Sequence, residues 1–85
     1  ISIIVDFHAP WCGPCRFLGP ALEQEVARVK NTVLVKVNVD EAPNVAAKFQ
    51  VASLPTVMVF RNGKVINSFI GSRDKAFVKK FVEDL

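Results

Sequence analysis

The feature that most constrains the fold of this 85-residue chain is a change in the spacing of its apolar residues around residues 8–15. Before that point, residues 2–7 form a short, nearly continuous apolar run, which predicts a strand covered on both faces. After it, apolar residues recur at steps of three and four, at Leu18, Leu22, Val26 and Val29. This spacing predicts an amphipathic helix over residues 14–30, with a kink at Pro20 because proline has no backbone N–H to donate.

The middle of the chain continues the alternation between strand and helix patterns. Residues 33–39 predict a second strand, with its valines on one face and Leu34, Lys36 and Asn38 on the other. Residues 40–43 predict a turn into a short helix that contains Val45, Ala46 and Phe49. A strand, a helix and a further strand in this order imply a parallel strand pair joined by a right-handed crossover.

The last third of the chain predicts a hairpin and a final helix. Residues 56–60 and 65–70 form two strand patterns separated by Asn62-Gly63, the strongest short hairpin signal in the sequence. A helix is then expected from residues 72–74 onward. Its inward residues are Phe77, Val78 and Phe81, and its outward residues are Lys75, Lys79 and Lys80. The order β-α-β-α-β-β-α predicts an α/β fold, formed as a single domain over residues 1–85.

Composition excludes two classes of partner. The net charge of +3 is spread along the chain, which is typical of a solvated surface and argues against a nucleic-acid interface. No apolar run approaches the roughly 20 residues that cross a bilayer, so no membrane partner is expected. The chain opens at Ile1 within an apolar run, and we therefore expect no information on cellular compartment from its start.

The two cysteines are the residues most indicative of chemistry. Cys12 falls where the first strand gives way to the helix, and unpaired backbone donors at a helix N-terminus favour a thiolate there. Cys15 lies one turn later, which predicts attack by Cys12 and resolution by a more shielded Cys15. Gly13 permits close approach of a partner chain, and Pro14 suits the first helical turn. Two alternatives remain: half of a zinc site with His8, or a purely structural disulfide.

Residues 5–15, Val-Asp-Phe-His-Ala-Pro-Trp-Cys-Gly-Pro-Cys, resemble the active-site segment of the thioredoxin family. The resemblance covers nearly the whole chain. It continues, in the family's order and spacing, at Pro20, Lys36, Asp40, Leu54-Pro55-Thr56, Asn62-Gly63 and Gly71. It implies a thioredoxin-like fold, in which a central mixed sheet is flanked by helices, but which lacks the family's usual first strand and helix.

That departure from the family pattern concerns the predicted strand at residues 33–39. Without a preceding strand, residues 33–39 would form an unprotected edge of the sheet, which can pair with another chain. The sequence leaves open whether the first two elements were trimmed or whether this is a minimal form. A monomer is expected, with a dimer through this edge as the alternative.

The resemblance implies reduction of protein disulfides through a mixed disulfide. It also implies regeneration by a flavin-dependent thioredoxin reductase that draws on NADPH, with no cofactor bound to this chain and oxidised proteins as its substrates. Gly13-Pro14 argues against a disulfide isomerase or oxidase, which generally carries another dipeptide between its cysteines. A binding module that docks partners without turnover is the alternative from another class. The mitochondrial matrix and the cytoplasm are both possible compartments, and His8, which resembles the histidine of mitochondrial thioredoxins, favours the matrix.

The resemblance also assigns roles to residues that are ambiguous alone. Asp6 is either a solvent-facing charge or a buried carboxyl, and the family implies a buried group that exchanges a proton with Cys15. Lys36 is by default a solvated charge, and the family implies that it approaches Asp6. Pro55, which would be unremarkable as a trans proline at a strand start, is cis in the family. The implied redox-active disulfide is Cys12-Cys15, the implied substrate-docking residues are Trp11, Gly13, Pro14, Leu54, Pro55 and Gly71, and no metal ligand is expected.

Overall fold

The computed structural model describes all residues, 1–85, and contains four strands and three helices. In chain order these are β1 (Ser2–His8), α1 (Gly13–Val26), β2 (Thr32–Asn38), α2 (Pro43–Lys48), β3 (Thr56–Arg61), β4 (Lys64–Ile70) and α3 (Lys75–Glu83). The strand order in the sheet is β2-β1-β3-β4. β1 pairs parallel to β2 and antiparallel to β3, and β3 pairs antiparallel to β4. The predicted element order and mixed sheet are therefore confirmed.

Strand β1 occupies the centre of the sheet and sets the register for the charged residues. Asp6 lies opposite Lys36 of β2 and opposite Val57 of β3. Residues in register on neighbouring strands point to the same face of a sheet, so Asp6 and Lys36 share the face that α1 covers. The neighbouring residue Phe7 points to the opposite face, where its ring lies 6.1 Å from that of Phe49, just after α2.

The main core lies between one face of the sheet and the helices α1 and α3. Its members are Ile4, Leu18, Ala21, Leu22, Val57, Val59, Phe69, Val78, Phe81 and Val82. Phe69 of β4 meets Phe81 edge to face, with ring centroids 4.8 Å apart. Such a pair stabilises the fold beyond the area that it buries. The core thus fixes the position of α1, whose first turn carries the cysteines.

The hairpin between β3 and β4 forms at the predicted place. Asn62 and Gly63 both have positive φ, at 55° and 76°. Two successive residues in this region are typical of a two-residue turn of type I′, whose twist matches that of the flanking strands. The Asn-Gly signal in the sequence is therefore confirmed.

Helix α1 is shorter than predicted, because it ends at Val26 rather than near residue 30. The backbone N–H groups of Arg28 and Val29 donate to the carbonyls of Glu25 and Val26, three residues back. This tighter turn still brings Val29 against the core, although the residue lies outside the helix. The apolar spacing continued past the helix end for that reason, and the predicted boundary is wrong.

Two predictions of burial are also wrong in part. Phe77, expected to face inward, is 38% exposed, and it packs by one side against Phe69 while the Arg73 guanidinium lies 5.2 Å from its ring centroid. Strand β1, expected to be covered on both faces, leaves Ile3 exposed on the side of α2, a helix of six residues. Strand β2 forms an edge of the sheet, as predicted, and exposes Val33 and Val35.

We expect Val78→Ala to lower the free energy of unfolding by about 2 kcal/mol, because it removes two buried methyl groups and leaves a cavity. Val78 is fully buried in α3, and Val45, which is 40% exposed in α2, provides a matched helical control. Val45→Ala is expected to change stability by less than about 0.5 kcal/mol. Urea denaturation of both variants measures the difference, and equal losses would contradict the assigned core.

Candidate functional site

The cysteine pair lies at the start of α1. Cys12 is the N-cap residue, and its Sγ accepts a hydrogen bond from the backbone N–H of Cys15 at 3.3 Å. Gly13 and Pro14, both exposed, form the first two positions of the helix. The two cysteines form a disulfide, with their Cα atoms 5.3 Å apart. The N–H donor of Cys15 and the position of Cys12 Sγ at the helix N-terminus stabilise negative charge on this sulfur when the disulfide is reduced.

Burial does not distinguish the two cysteines. Both are almost completely covered, and both pack with Ala9 in a small apolar cluster. The prediction that Cys15 is the more shielded of the two is not supported by their exposed areas. The position of Cys12 at the helix end, where the backbone donors point, is the feature that separates it chemically from Cys15.

Asp6 is a buried carboxyl beneath the first turns of α1. It is 1% exposed, and its Oδ1 has no hydrogen-bond partner. Burial raises the pKa of Asp6, because an apolar surrounding disfavours the charged form. The charges of His8 and Lys36 lower this pKa in turn, whereas the charge of Glu23 raises it. The sequence left two interpretations of Asp6 open, a solvent-facing charge and a buried carboxyl, and the buried carboxyl is correct.

A cavity of about 160 Å³ connects Asp6 with Cys15. It is lined by Asp6, His8, Cys15, Arg16, Gly19, Pro20 and Lys36. Gly19 lies close to both charged groups, since a Cβ atom there would be in ordinary contact with Lys36 Nζ at 3.5 Å and with Asp6 Oδ2 at 3.9 Å. A polar cavity of this size has room for water, which can carry a proton between the carboxyl and the sulfur.

Lys36 lies beside the cavity, but its ion-pair partner is Glu23 of α1. Sequence reasoning did not identify Glu23. The signal that was available is its spacing, because Glu23 lies four residues after Gly19 and therefore on the same side of α1. His8 also lines the cavity and acts electrostatically on Asp6.

The loop before β3 approaches the cysteines from the other side. The Leu54-Pro55 peptide bond is cis, as the resemblance implied, and Leu54 packs against the cluster that contains Cys12 and Cys15. The backbone N–H of Gly71 donates to the Pro55 carbonyl at 2.9 Å. Gly71 has a φ of 90°, a conformation that favours glycine. The loop before β3 thus packs against the cysteine pair through Leu54, and Gly71 is joined to the same loop through Pro55.

Trp11 forms the exposed rim of the site. Its side chain remains largely open to solvent, the residue being 68% exposed, and its indole N–H donates to Oδ2 of Asp40 at 3.1 Å. An apolar groove of about 190 Å³ runs beside it, lined by Trp11, Val39, Ala46, Val51, Ala52 and Leu54. Exposed apolar surface next to a reactive group is typical of a docking site for a partner. The bond between Trp11 and Asp40 joins residues too far apart for local sequence patterns to predict.

Two further observations bear on the expected classes of partner. Nowhere do three His, Cys, Asp or Glu side chains come together in a way that could hold a metal ion. None of the three helices has the length and apolar content that a membrane span requires.

Comparison with known proteins identifies the family. A family model described as thioredoxin matches residues 1–84. The chain is 44% identical over 86 residues to "Probable thioredoxin-2" of Caenorhabditis elegans and 42% identical over 85 residues to "Thioredoxin, mitochondrial" of Mus musculus. These alignments cover 100% and 94% of the chain but 59% and 51% of the two relatives, so the chain spans just over half of their length.

A solved structure supports the same assignment. Oxidised mitochondrial thioredoxin 3 from Saccharomyces cerevisiae superposes with a TM-score of 0.86 at 32% sequence identity. The match covers 99% of this chain and 78% of the yeast chain. The arrangement of the sheet and the helices is therefore one that an experimentally determined thioredoxin shares.

We expect Asp6→Asn to raise the free energy of unfolding of the oxidised protein at pH 7. The folded-state pKa of Asp6 lies above the unfolded one, so between these two values the unfolded chain binds fewer protons and stability falls as pH rises. The asparagine variant lacks this loss. The difference in the free energy of unfolding between Asp6→Asn and the parent protein should therefore be largest at neutral pH. It should disappear as the pH falls below the range in which an aspartate ordinarily titrates.

Urea denaturation between pH 3.5 and 8, on oxidised samples in which the cysteines do not titrate, measures this dependence. Asp84→Asn is the matched control, because Asp84 is an exposed carboxyl at the end of α3. A constant difference between Asp6→Asn and the parent protein across this pH range would contradict the prediction.

Proposed function

The chain belongs to the thioredoxin family, and we propose that it reduces disulfides in other proteins by exchange at Cys12 and Cys15. The observation that carries this proposal is the disulfide at the N-terminus of α1, joined by a cavity to the buried carboxyl of Asp6. Together these provide an attacking sulfur, a resolving sulfur and a proton acceptor within one small volume. No cofactor bound to this chain is needed for that chemistry.

The first step begins with both cysteines reduced. The Cys12 thiolate attacks one sulfur of the substrate disulfide, forming a bond between Cys12 and the substrate while the substrate disulfide breaks. The displaced substrate thiolate takes a proton from solvent. The backbone donors at the start of α1 support the attacking thiolate, since they lie where its charge is located.

The second step releases the substrate. The Cys15 thiol gives its proton to the Asp6 carboxylate through the shared cavity, and its sulfur attacks Cys12 Sγ. The bond between Cys12 and the substrate breaks, and the second substrate thiolate leaves and is protonated. Two electrons have then passed to the substrate, and the chain carries the Cys12-Cys15 disulfide. Lys36 and Glu23 influence this step through their charges near Asp6, without contact with the reacting sulfurs.

Substrate docking is proposed for the surface around the disulfide. Its residues are Trp11, Gly13, Pro14, Leu54, Pro55 and Gly71. The exposed indole of Trp11, held by Asp40, and the adjacent apolar groove support contact with an extended protein segment. Gly13 leaves room for that segment, since no atom lies within 4 Å of the position of a Cβ there.

Return to the reduced state needs a two-electron donor from outside the chain. We assign this role to a thioredoxin reductase that draws on NADPH, in line with the family. Oxidised proteins are then the second class of partner, and neither nucleic acid nor a membrane is required. The mitochondrial matrix is our proposed compartment, in preference to the cytoplasm, and the mitochondrial thioredoxins among the similar proteins support it.

We predict that Cys15→Ser traps the mixed disulfide. This change leaves the attack by Cys12 intact but removes the sulfur that resolves the intermediate. Incubation of the reduced variant with a disulfide-bonded protein should give a covalent adduct that mass spectrometry detects and excess dithiothreitol removes. Cys12→Ser is the control and should give no comparable adduct. Equal adducts from both variants would contradict the assignment of Cys12 as the attacking residue.

Asp6→Asn should slow the second step about tenfold or more, because the amide cannot accept the proton of Cys15. The first step should be unchanged, since Asp6 is buried away from the incoming substrate. Single-turnover kinetics with a disulfide peptide, quenched by acid at successive times, separates formation of the mixed disulfide from its decay. Asp84→Asn should leave both rates at the level of the parent protein. Unaltered decay in Asp6→Asn would exclude Asp6 as the proton acceptor.

A further inference from the structure

A second groove, of about 220 Å³, lies between α1 and the start of α3. It is lined by Arg16, Phe17, Pro20, Ala21, Gln24 and Lys75. Arg16 directly follows Cys15 and also lines the cavity that contains Asp6. A substrate segment in this groove would therefore lie within a few residues of the disulfide under attack.

The two cations of this groove have no carboxylate partner. The ion pairs of the molecule join Arg28 to Glu25, Lys36 to Glu23 and Lys80 to Asp84. Arg16 uses one N–H of its guanidinium to donate to the Pro10 carbonyl at 3.1 Å, which holds the group at the rim while its other donors remain available.

The carboxylates adjacent in sequence to this groove are already engaged, since Glu23 pairs with Lys36 and Glu25 with Arg28. Asp74 precedes Lys75, but its Oδ1 accepts a hydrogen bond from the backbone N–H of Phe77 at 2.8 Å. It serves as the N-cap of α3, rather than as an ion-pair partner of Lys75. The groove therefore presents positive charge to solvent.

Helix stability does not explain why these cations are here. Lys75 is the first residue of α3, Arg16 is the fourth of α1, and neither helix has an acidic residue in its first turn. Positive side chains are unfavourable at a helix N-terminus, where the helix dipole is itself positive. Residues that oppose a local rule without an evident structural gain are expected at functional sites.

A third cation, Arg73, extends the positive surface toward Gly71 and the loop that contains Pro55. The Arg73 guanidinium lies 5.6 Å from the ring centroid of Phe69 and 5.2 Å from that of Phe77, so two aromatic rings hold it in place. Its Nη1 lies 3.7 Å from the position that a Cβ of Gly71 would occupy. Gly71 is in turn bonded to Pro55, opposite the cysteines.

We propose that this groove binds an acidic segment of the substrate protein, with an Asp or Glu carboxylate between Arg16 and Lys75. The inference rests on the proposed function, because it concerns which disulfides are reduced at the same site. Charge complementarity supports an acidic partner, and the exposed ring of Phe17 offers an apolar contact beside the charges. The cations thus select among substrates that the apolar surface around Trp11 accepts without regard to charge.

Three peptides with the same disulfide and with flanking glutamate, glutamine or lysine residues test this proposal. We expect kcat/KM for the glutamate peptide to exceed that for the lysine peptide by about tenfold at low ionic strength, and the ratio to fall as salt is added. Lys75→Glu should reduce the ratio of kcat/KM for the glutamate peptide to kcat/KM for the glutamine peptide by about threefold or more. This variant should fold, since a carboxylate is favoured at the start of α3.

Lys64→Glu is the matched control, because it reverses the same charge on an exposed residue at the distant hairpin. It should preserve the peptide preference of the parent protein. Equal effects of Lys64→Glu and Lys75→Glu would overturn the proposal and assign the preference to net charge. Equal rates for the three peptides would overturn it while leaving the proposed function in place, whereas failure to reduce any of them would count against the proposed function itself.

Discussion

The parallel pairing of β1 with β2 is the constraint on which the rest of the site depends. A parallel pair requires a crossover, here α1, and the helix begins where β1 ends. Cys12 therefore lies at a helix N-terminus for topological reasons, close to the end of the central strand. The same pairing sets Lys36 opposite Asp6, on the face that α1 covers. The positions of the sulfur that we propose as the attacking group, of the buried carboxyl and of the nearby cation are thus consequences of one strand register.

This arrangement destabilises the fold mainly at Asp6. A carboxyl with an unbonded oxygen in the middle of a sheet opposes folding when it is ionised, because no other group replaces its lost hydration. The charges of His8 and Lys36 offset part of this destabilisation, whereas Glu23, which pairs with the Lys36 ammonium, adds to it through its own charge. A carboxylate whose charged form is disfavoured accepts a proton readily, so the burial that weakens the fold suits Asp6 for the proton transfer that we propose in the second step.

Much of the fold followed from local patterns, whereas most contacts of the site did not. The change in apolar spacing, the Asn62-Gly63 turn and the start of the last helix after residues 72–74 are short-range signals, and the structure bears them out. The end of α1 was misplaced because a tight turn carries Val29 to the core with the same spacing as a helix.

The site itself required the family resemblance. Nothing local to Asp6 distinguishes a buried carboxyl from an exposed one, and nothing near Trp11 indicates Asp40 as its partner. Glu23 is a further example, because its ion pair with Lys36 forms only when the fold places β2 beside α1. The residues to which we assign the exchange lie within residues 6–15, but those of the proposed substrate surface, such as Leu54, Gly71 and Lys75, come from distant loops and helices. Chemistry and selectivity are therefore separable in this fold: the surface charges can change while strand register, helix start and buried carboxyl stay as they are.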